Sequence, residues 1–393
     1  MKPIFVTALS CFLFLAAYCN AALAEQPIIP APPELRAKAY VLVDADTGKV
    51  LVQYNADERL APASLTKMMT GYVAATELQH GTVKLTDMVD VSVKAWKMEG
   101  SRMFIREGTK VRLDDLLRGM IVDSGNDASV ALAQHIAGTE DAFVDLMNQH
   151  AARLGMANSH FMNATGLPVK DHYTTADDLA KLAVALIKDF PDHYELYSEK
   201  YFTYNNIRQP NRNALLWRDP SVDGVKTGHT DAAGFCLVAS ALRHGMRLVS
   251  VVMGTDSEEA RATESQKLLT YGFRYYDTVH LYAAGKALKD VRVWEGEQDA
   301  IGVGLAKDAV VTIPRGSKKD LKASMDFGRV VKAPVKQGDQ IGKLVVAMNG
   351  KDIYQSALLA VSAVDEAGFV KRLWDAIVLF FVQLFGGDAV SAS

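Results

Sequence analysis

The spacing of apolar residues changes along this 393-residue chain, and that change most limits what it can fold into. Three stretches carry apolar side chains at helical intervals, at residues 64–78, 114–155 and 175–190. β-branched and apolar runs bounded by turn signals predict strands, at residues 39–44, 49–53, 234–242 and 246–253. A further helix is predicted over Glu258–Gly272. The first part of the chain therefore reads as an α+β unit, which we place at residues 25–280.

A different pattern begins after about residue 280. Short strand-like pieces alternate there with turn signals, at residues 291–294, 309–313, 341–348 and 353–361. Asn349-Gly350, between the last two pieces, is a strong signal for a two-residue hairpin turn. We therefore predict a small all-β domain over residues 281–362.

The last segment, residues 366–387, reads as an amphipathic helix. Lys371, Arg372, Asp375 and Gln383 fall in one sector of a helical projection, while the rest of the surface is mostly apolar and aromatic. The apolar core is shorter than the ~20 residues that span a bilayer, and its composition suits a helix lying in the membrane interface. The alternative is a helix that packs on its own protein or on a second copy.

The first 24 residues read as a removable export signal. Lys2 precedes an apolar run over residues 4–17, and small residues follow near Ala22 and Ala24. An uncleaved transmembrane helix is the alternative. Two of the three cysteines would leave with the signal, so the exported chain would keep Cys236 alone and have no internal disulfide. Cys236 lies in an apolar strand and reads as a buried small hydrophobe.

Charge and composition argue against several kinds of partner. Lysine and arginine total 43 against 46 acidic residues, a net charge of −3, which does not favour nucleic-acid binding. The histidines are scattered, and the sequence has neither a His-Glu-x-x-His string nor a cysteine cluster, so we expect no metal and no cofactor.

Three short strings occur in a fixed order, each of them once. They are Ser64-Leu65-Thr66-Lys67, Ser124-Gly125-Asn126 and Lys226-Thr227-Gly228. A Ser-x-x-Lys string alone is expected by chance in a chain of this length. All three in this order, with the first at a predicted helix start and the third in a predicted strand, indicate a serine nucleophile site.

These residue types suit acyl transfer. A serine hydroxyl needs a base, and Lys67 lies on the same helical face as Ser64, three residues on. The usual lysine pKa of ~10.4 is too high for a base, so burial and a nearby positive charge, which Lys226 could supply, must lower it. Ser124 would relay a proton to the leaving amine. Asn126 could hold both Lys67 and the substrate backbone.

The third string would bind the substrate. Lys226 and Thr227 offer a cation and a hydroxyl to a carboxylate, and Gly228 lets a peptide backbone come close. The backbone N–H groups of Ser64 and His229 would form the oxyanion hole. His229 could instead be a general base, but without a Gly-x-Ser-x-Gly elbow we assign it a backbone role.

Two longer strings extend this pattern, and they are Lys226-Thr227-Gly228-His229-Thr230 and Asn163-Ala164-Thr165-Gly166-Leu167-Pro168. With them, the whole exported chain resembles the D-alanyl-D-alanine carboxypeptidases of the type-5 penicillin-binding protein group. The resemblance implies a β-lactamase/transpeptidase-like α+β fold with a five-stranded antiparallel sheet. It also implies acylation of Ser64 by peptidoglycan stem pentapeptides and by penicillins. The protein would be periplasmic and attached to the outer face of the inner membrane.

The resemblance further implies roles for residues that the chemistry alone does not assign. Arg212, upstream of the Lys-Thr-Gly strand, would help to bind the substrate carboxylate, and Thr230 closes the substrate-binding string. Residues 91–103, including Ser101, resemble the loop that flanks the family's site and would bear on deacylation.

Three other functions stay open at the level of sequence. A class A β-lactamase would need an acidic residue to activate the deacylating water, and the β domain and the tail argue against it. A D,D-endopeptidase acting on cross-links would share the same site. A non-catalytic wall-binding scaffold would have no need for two lysines facing a serine.

Overall fold

The computed structural model describes residues 28–328, 330–386 and 390. The predicted export signal, residues 1–24, lies outside the described residues, as does the last residue of the predicted C-terminal helix, Gly387.

The described residues of the first part of the chain contain the four strands predicted over residues 39–44, 49–53, 234–242 and 246–253, the strand predicted for the third string, and four short strands that were not predicted. They are β1 (Ala39–Asp44), β2 (Val50–Tyr54), β3 (Met88–Asp90), β4 (Lys110–Arg112), β5 (Tyr201–Tyr204), β6 (Ile207–Pro210), β7 (Val222–Thr230), β8 (Gly234–Arg243) and β9 (Met246–Thr255). Within the described residues, a five-stranded antiparallel sheet has the order β2-β1-β9-β8-β7. One side of β7 is therefore open to a ligand.

Helices cover both faces of this sheet. They are α1 (Thr66–His80), α2 (Val93–Trp96), α3 (Leu113–Ile121), α4 (Asn126–Ala137), α5 (Glu140–Arg153), α6 (Ala176–Asp189), α7 (Pro191–Tyr194), α8 (Leu215–Arg218) and α9 (Glu258–Tyr275). Alternate residues of β1 separate the two faces. Val41 and Val43 join the core of the helical cluster, whereas Leu42 packs in the core that α9 completes with Leu268 and Leu269.

The stretch 114–155 was predicted as helical, and the structure divides it into three helices. The first break lies between Ile121 and Asn126, and the second at Gly138-Thr139. Thr139 caps the third helix by accepting a hydrogen bond from the N–H of Ala142. The first break matters most for the site, because it places Ser124 in a loop between two helices.

The second part of the chain is an all-β region. Its strands are β10 (Tyr276–Tyr282), β11 (Ala287–Trp294), β12 (Ala300–Gly304), β13 (Ala309–Pro314), β14 (Leu321–Asp326), β15 (Val331–Lys332), β16 (Gln340–Met348) and β17 (Lys351–Ala360). The described residues form a six-stranded sheet in the order β14-β16-β17-β12-β11-β15, with β10 and β13 paired beside it. Asn349-Gly350 makes the predicted turn between β16 and β17. The exact domain limits, 25–280 and 281–362, stay predictions.

The C-terminal helix α10 (Phe369–Leu384) packs on the β region through its polar sector. Asp375 is buried and accepts a hydrogen bond from the N–H of Glu295 at 2.8 Å. Lys371 donates to the carbonyl of Gly296 and forms an ion pair with Asp299 at 2.8 Å. The opposite face is exposed and apolar, with Trp374 65 % and Phe380 61 % accessible. None of the helices among the described residues is both long and apolar enough to cross a bilayer.

A buried carboxylate joins the two parts of the chain. Asp44, at the end of β1, accepts hydrogen bonds from the hydroxyls of Thr278 and Thr312 at 2.6 Å each. Thr47 donates its hydroxyl proton to that of Thr312, and Lys49 donates to the Thr312 carbonyl at 3.0 Å. Since Asp44 is completely buried, these hydroxyls replace the water that its carboxylate loses on folding.

Replacing Asp44 should weaken this junction. Asp44→Ala leaves the hydroxyls of the buried Thr312 and the partly buried Thr278 without their acceptor, so we expect a loss of about 1–3 kcal/mol in the free energy of unfolding. Chemical denaturation of both proteins measures the change. Asp326→Ala is the control, because the ion pair of Asp326 with Lys343 is exposed and should contribute less than about 1 kcal/mol. Equal effects of the two substitutions would contradict the role of Asp44.

Candidate active site

Ser64 and Lys67 stand at the start of α1. A short 3₁₀ turn, Ala63–Leu65, leads directly into the helix, so the two residues lie on one face. Nζ of Lys67 is 3.0 Å from Oγ of Ser64. Ser64 is partly exposed, whereas Lys67 is buried. A reactive hydroxyl thus faces solvent with a buried amine behind it.

Two further contacts fix the amine of Lys67. Its Nζ donates to Oδ1 of Asn126 and to the carbonyl oxygen of Thr165, both at 2.7 Å. An uncharged amine has two protons and one lone pair. With both protons directed at these acceptors, the lone pair is left for the hydroxyl proton of Ser64.

The surroundings of Lys67 favour that uncharged amine. Burial lowers the pKa of Lys67 to about 7, and the positive charge of Arg212 lowers this pKa further. The sequence interpretation assigned the second charge to Lys226, but Arg212 supplies it. Burial and the charges of Lys67 and Arg212 also hold the pKa of Lys226 well below its usual range. Burial and these charges therefore disfavour the protonated amine of Lys226.

Ser124 lies in the loop between α3 and α4, where it meets the strand β7. Nζ of Lys226 donates to Oγ of Ser124 at 3.0 Å, and both residues are buried. Ser124 has a φ of +61°, a left-handed conformation that a serine adopts at a cost of about 1–3 kcal/mol. The surrounding loop therefore holds its hydroxyl in a fixed direction.

Asn126 links the three strings. Its Nδ2 donates to the carbonyl of Glu99 at 2.6 Å, and its backbone N–H donates to the carbonyl of Ser101 at 2.7 Å. These bonds turn Oδ1 toward Lys67 and tie the loop at residues 91–103 to the site. The carbonyls of Thr165 and Glu99 were not predicted, because backbone acceptors leave no signal in the sequence.

Two acidic residues beside Ser124 and Asn126 are buried. Asp127 is completely buried and accepts hydrogen bonds from the N–H groups of Met103, Phe104 and Ile105 at 2.9–3.2 Å. Asp123 is also buried, and burial together with the charge of Asp127 raises its pKa to about 7. Asp127 thus fixes the end of the loop that carries Ser101.

The third string lies along the open side of β7. Thr227 is buried, and a side chain at Gly228 would place its Cβ 3.1 Å from the carbonyl oxygen of Pro62. Glycine therefore keeps β7 close to the turn that carries Ser64. His229 is exposed, and its ring stacks on Phe235 at 4.0 Å between centroids.

Other predicted residues lie around this centre. The side chain of Arg212 is exposed, and Arg261, which was not predicted, donates to the carbonyls of Arg212 and Gly228 at 3.5 and 3.4 Å. Thr230 ends β7 and accepts a hydrogen bond from the N–H of Ala233. Cys236 is buried, and burial raises the pKa of its thiol to about 11, so it is a poor nucleophile.

The loop at Asn163–Pro168 also contacts the nucleophile turn. Gly166 has a φ of +87°, and a Cβ there would lie 1.8 Å from the carbonyl oxygen of Ala63. The Asn163 side-chain oxygen accepts hydrogen bonds from the N–H groups of Thr165 and Gly166. This turn directs the Thr165 carbonyl at Lys67 and requires glycine at position 166.

Two known protein families match the chain. Residues 26–257 match the D-alanyl-D-alanine carboxypeptidase family, and residues 276–366 match the C-terminal domain of penicillin-binding protein 5. D-alanyl-D-alanine carboxypeptidase DacC of Escherichia coli strain K12 is 44 % identical over 385 residues, which cover 96 % of each chain.

Solved structures agree with these matches. Penicillin-binding protein 5 of Haemophilus influenzae is 43 % identical with a TM-score of 0.82, covering 86 % of this chain and 100 % of that one. Penicillin-binding protein D2 of Listeria monocytogenes, solved in its ampicillin-bound form, is 29 % identical with a TM-score of 0.58, covering 62 % and 100 % of the two chains. The fold class predicted from the sequence is confirmed.

The pKa of Lys67 predicts how Ser64 responds to pH. The amine can take a proton when it is uncharged, so the rate of Ser64 acylation should rise with pH through about 7 and then level off. Stopped-flow measurement with a fluorescent penicillin gives this rate. A profile that is flat from pH 5 to 9 would show that another group is the base.

Proposed function

Because this chain belongs to the D-alanyl-D-alanine carboxypeptidase family and is a serine hydrolase, we propose that it removes the terminal D-Ala from peptidoglycan stem pentapeptides through an acyl-enzyme on Ser64. The observation that carries this proposal is the buried amine of Lys67, 3.0 Å from Oγ of Ser64 and with both its protons already directed at acceptors. The catalytic set is Ser64, Lys67, Ser124 and Asn126.

In the acylation step, Lys67 takes the hydroxyl proton of Ser64 as Oγ attacks the carbonyl carbon of the penultimate D-Ala. The backbone N–H groups of Ser64 and His229 stabilise the negative oxygen that forms. The C–N bond then breaks, and the leaving amine receives a proton through Ser124. Free D-Ala departs, and the remaining peptide is esterified to Ser64.

The terminal carboxylate of the substrate would lie beside Lys226, Thr227 and Arg212. An anion at this place raises the pKa of Lys226, because it stabilises the protonated amine that burial and the neighbouring cations disfavour. The arriving carboxylate would thus favour the protonated form of Lys226, which would bind it as a cation. Gly228 and Thr230 complete the edge of β7 along which the peptide backbone lies.

In the second step, water cleaves the ester and frees the tetrapeptide. Lys67 can again act as the base, because its proton has left with the D-Ala. The loop at residues 91–103 borders this step, since the carbonyls of Glu99 and Ser101 both hold Asn126. A β-lactam would acylate Ser64 by the same attack.

Replacing the nucleophile should abolish acylation. Ser64→Ala removes the attacking oxygen, so the variant should show no covalent labelling by fluorescent penicillin and no D-Ala release. Its circular dichroism spectrum and melting temperature should stay near those of the wild type. Labelling that survives in a folded variant would place the nucleophile elsewhere.

Replacing the base should have the same effect for another reason. Lys67→Arg keeps a cation but cannot give up a proton at working pH, so acylation should fall by at least about 100-fold. Labelling kinetics measure the loss, and Lys49→Arg, at the junction of the two parts of the chain, is the matched control. Near-wild-type rates in Lys67→Arg would mean that another group is the base.

Product analysis tests the whole assignment. Incubation with a stem pentapeptide should release one D-Ala and leave a tetrapeptide, while a cross-linked dimer should be cleaved more slowly. Faster cleavage of the dimer would indicate an endopeptidase. Rapid hydrolysis of penicillin would indicate a β-lactamase. A protein that neither releases D-Ala nor binds penicillin covalently would be a scaffold.

We further propose that the protein acts in the periplasm, where residues 1–24 would direct it, and that α10 attaches it to the outer face of the inner membrane. Lys371 and Asp375 of the polar sector of α10 are engaged by the β region, and the exposed side of the helix is mostly aromatic and aliphatic. A lipid interface would bury this surface, to which Phe369, Trp374, Phe380 and Leu384 contribute.

Removal of α10 should release the protein from membranes. Full-length protein should co-sediment with lipid vesicles, whereas a chain lacking residues 366–393 should stay in the supernatant and still bind penicillin. The double substitution F380S/F381S should weaken binding while keeping the polar contacts of α10. A truncated chain that still co-sediments would contradict the anchor, and loss of a dimer on truncation would favour a second copy as the partner.

A further inference from the structure

A cavity of about 700 Å³ lies at the junction of the two parts of the chain. One side is the turn between β1 and β2, which contributes Asp46, Thr47 and Lys49. The other side is the β region, where β10, β13, β17 and the turn before β13 line the cavity. Thr312, which donates its hydroxyl proton to Asp44, is one of these residues. The proposed reaction uses none of the lining residues.

The register of the five-stranded sheet places this cavity away from the catalytic site. Asp44 of β1 pairs with Leu248 of β9. Leu248 pairs in turn with Ala241, and Ala241 with Val222, the first residue of β7. Lys226 lies four residues farther along β7 and three strands across the sheet. At about 3.3 Å per residue and about 4.8 Å per strand, the junction and Lys226 are about 20 Å apart.

This distance separates the cavity from the site of the substrate peptide. An extended pentapeptide is about 17 Å long, so a peptide whose C-terminal end is held at Lys226 does not reach across about 20 Å. A ligand of the cavity is therefore either a separate molecule or a distant part of a polymer.

Polar side chains without partners face the cavity. The carboxylate of Asp46, the ring of His280 and the ammonium group of Lys307 form no hydrogen bond or ion pair with the residues that the structure describes. Asp46 is half-buried, and burial raises the pKa of its carboxyl. A ligand that donates hydrogen bonds would replace the water that this carboxylate has lost.

The charges in the lining balance one another. Apart from His280, two acids (Asp46 and Asp308) face two lysines (Lys49 and Lys307), so the cavity offers no excess of cations to a phosphate or a polyanion.

The surface between these charges is largely apolar. It is formed by Val310, Val311, Ile353 and Tyr354. A neutral ligand that has many hydroxyl groups and apolar C–H faces would match both the polar and the apolar parts of the lining. Sugars have this character, and the volume lies in the range of small-molecule sites, about 300–1,000 Å³.

We propose that this cavity binds N-acetylated sugar units of the peptidoglycan glycan strand, and so holds the enzyme on the polymer while the catalytic site acts on a peptide. The inference rests on the proposed function, which makes peptidoglycan the polymer. Asp46 would accept hydrogen bonds from sugar hydroxyls, and Lys307 would donate to sugar oxygens. The ring of Tyr354 would pack against a C–H face.

Binding of a soluble sugar tests the cavity without turnover. Calorimetric titration of the exported chain with the tetramer of N-acetylglucosamine should show one bound tetramer per chain. Asp46→Asn and Lys307→Met should each weaken this binding by about tenfold, the effect of losing a hydrogen bond to a charged group. Lys84→Met removes an exposed lysine in another part of the protein and should bind as the wild type does. Melting temperatures near that of the wild type show that the variants are folded.

Two substrates then show whether the cavity acts on the polymer. With isolated peptidoglycan sheets, Asp46→Asn and Lys307→Met should release D-Ala several-fold more slowly than the wild type. With a soluble stem pentapeptide, both variants should keep the wild-type kcat/KM, because neither residue lies at the catalytic site. Equal losses on the two substrates would contradict a role in holding the polymer.

The outcomes separate the sugar site from the reaction. A wild-type protein that does not bind the tetramer, or equal affinities in the wild type and both variants, would overturn the sugar site and leave the carboxypeptidase function standing. Displacement of the tetramer by a stem peptide would assign the cavity to a peptide and overturn the sugar site as well. A wild-type protein that binds the tetramer but releases no D-Ala from the pentapeptide would overturn the proposed function alone.

Discussion

The site depends on one buried amine. Lys67 is held by Ser64, Asn126 and Thr165, and these three contacts come from three separate segments of the chain. A lysine buried without a carboxylate partner is costly in its charged form, and that cost lowers its pKa to about 7. The same burial that lowers the stability of a charged lysine therefore suits Lys67 to the role of base that we propose.

The rest of the catalytic region keeps this amine buried and fixes its orientation. The break between α3 and α4 lets Ser124 and Asn126 point to the same place, and Asp127 secures the neighbouring loop through three backbone N–H groups. Gly166 allows the Thr165 carbonyl to approach the turn that carries Ser64. Strained or close-packed backbone at these positions is offset by the buried cores on both faces of the sheet.

The proposed membrane attachment and the proposed catalytic site lie in different parts of the chain. The β region meets the catalytic region at Asp44, and it carries α10 through contacts to Asp375 and Lys371. Because the polar sector of α10 is used inside the protein, its exposed apolar face is fixed in direction relative to the β region. A helix docked in this way would present the molecule to a membrane in one orientation.

Sequence alone determined the main elements and indicated the residues that we propose as reactive, since apolar periodicity records which faces are buried and the three strings record which side chains can react. Strands β1, β8 and β9 lie within a residue or two of their predicted bounds, and Ser64 stands at a helix start as expected. Tertiary structure alone decided which backbone carbonyls accept hydrogen bonds in the site, namely that of Thr165 from Lys67 and that of Glu99 from Asn126. It also decided that Arg212 is the source of the positive charge that lowers the pKa of Lys67. Every residue has a carbonyl, so no pattern of side chains shows which carbonyls will bind Lys67 and Asn126. The guanidinium of Arg212 lowers the pKa of Lys67 because folding brings the two charges close together, and the sequence does not record that distance.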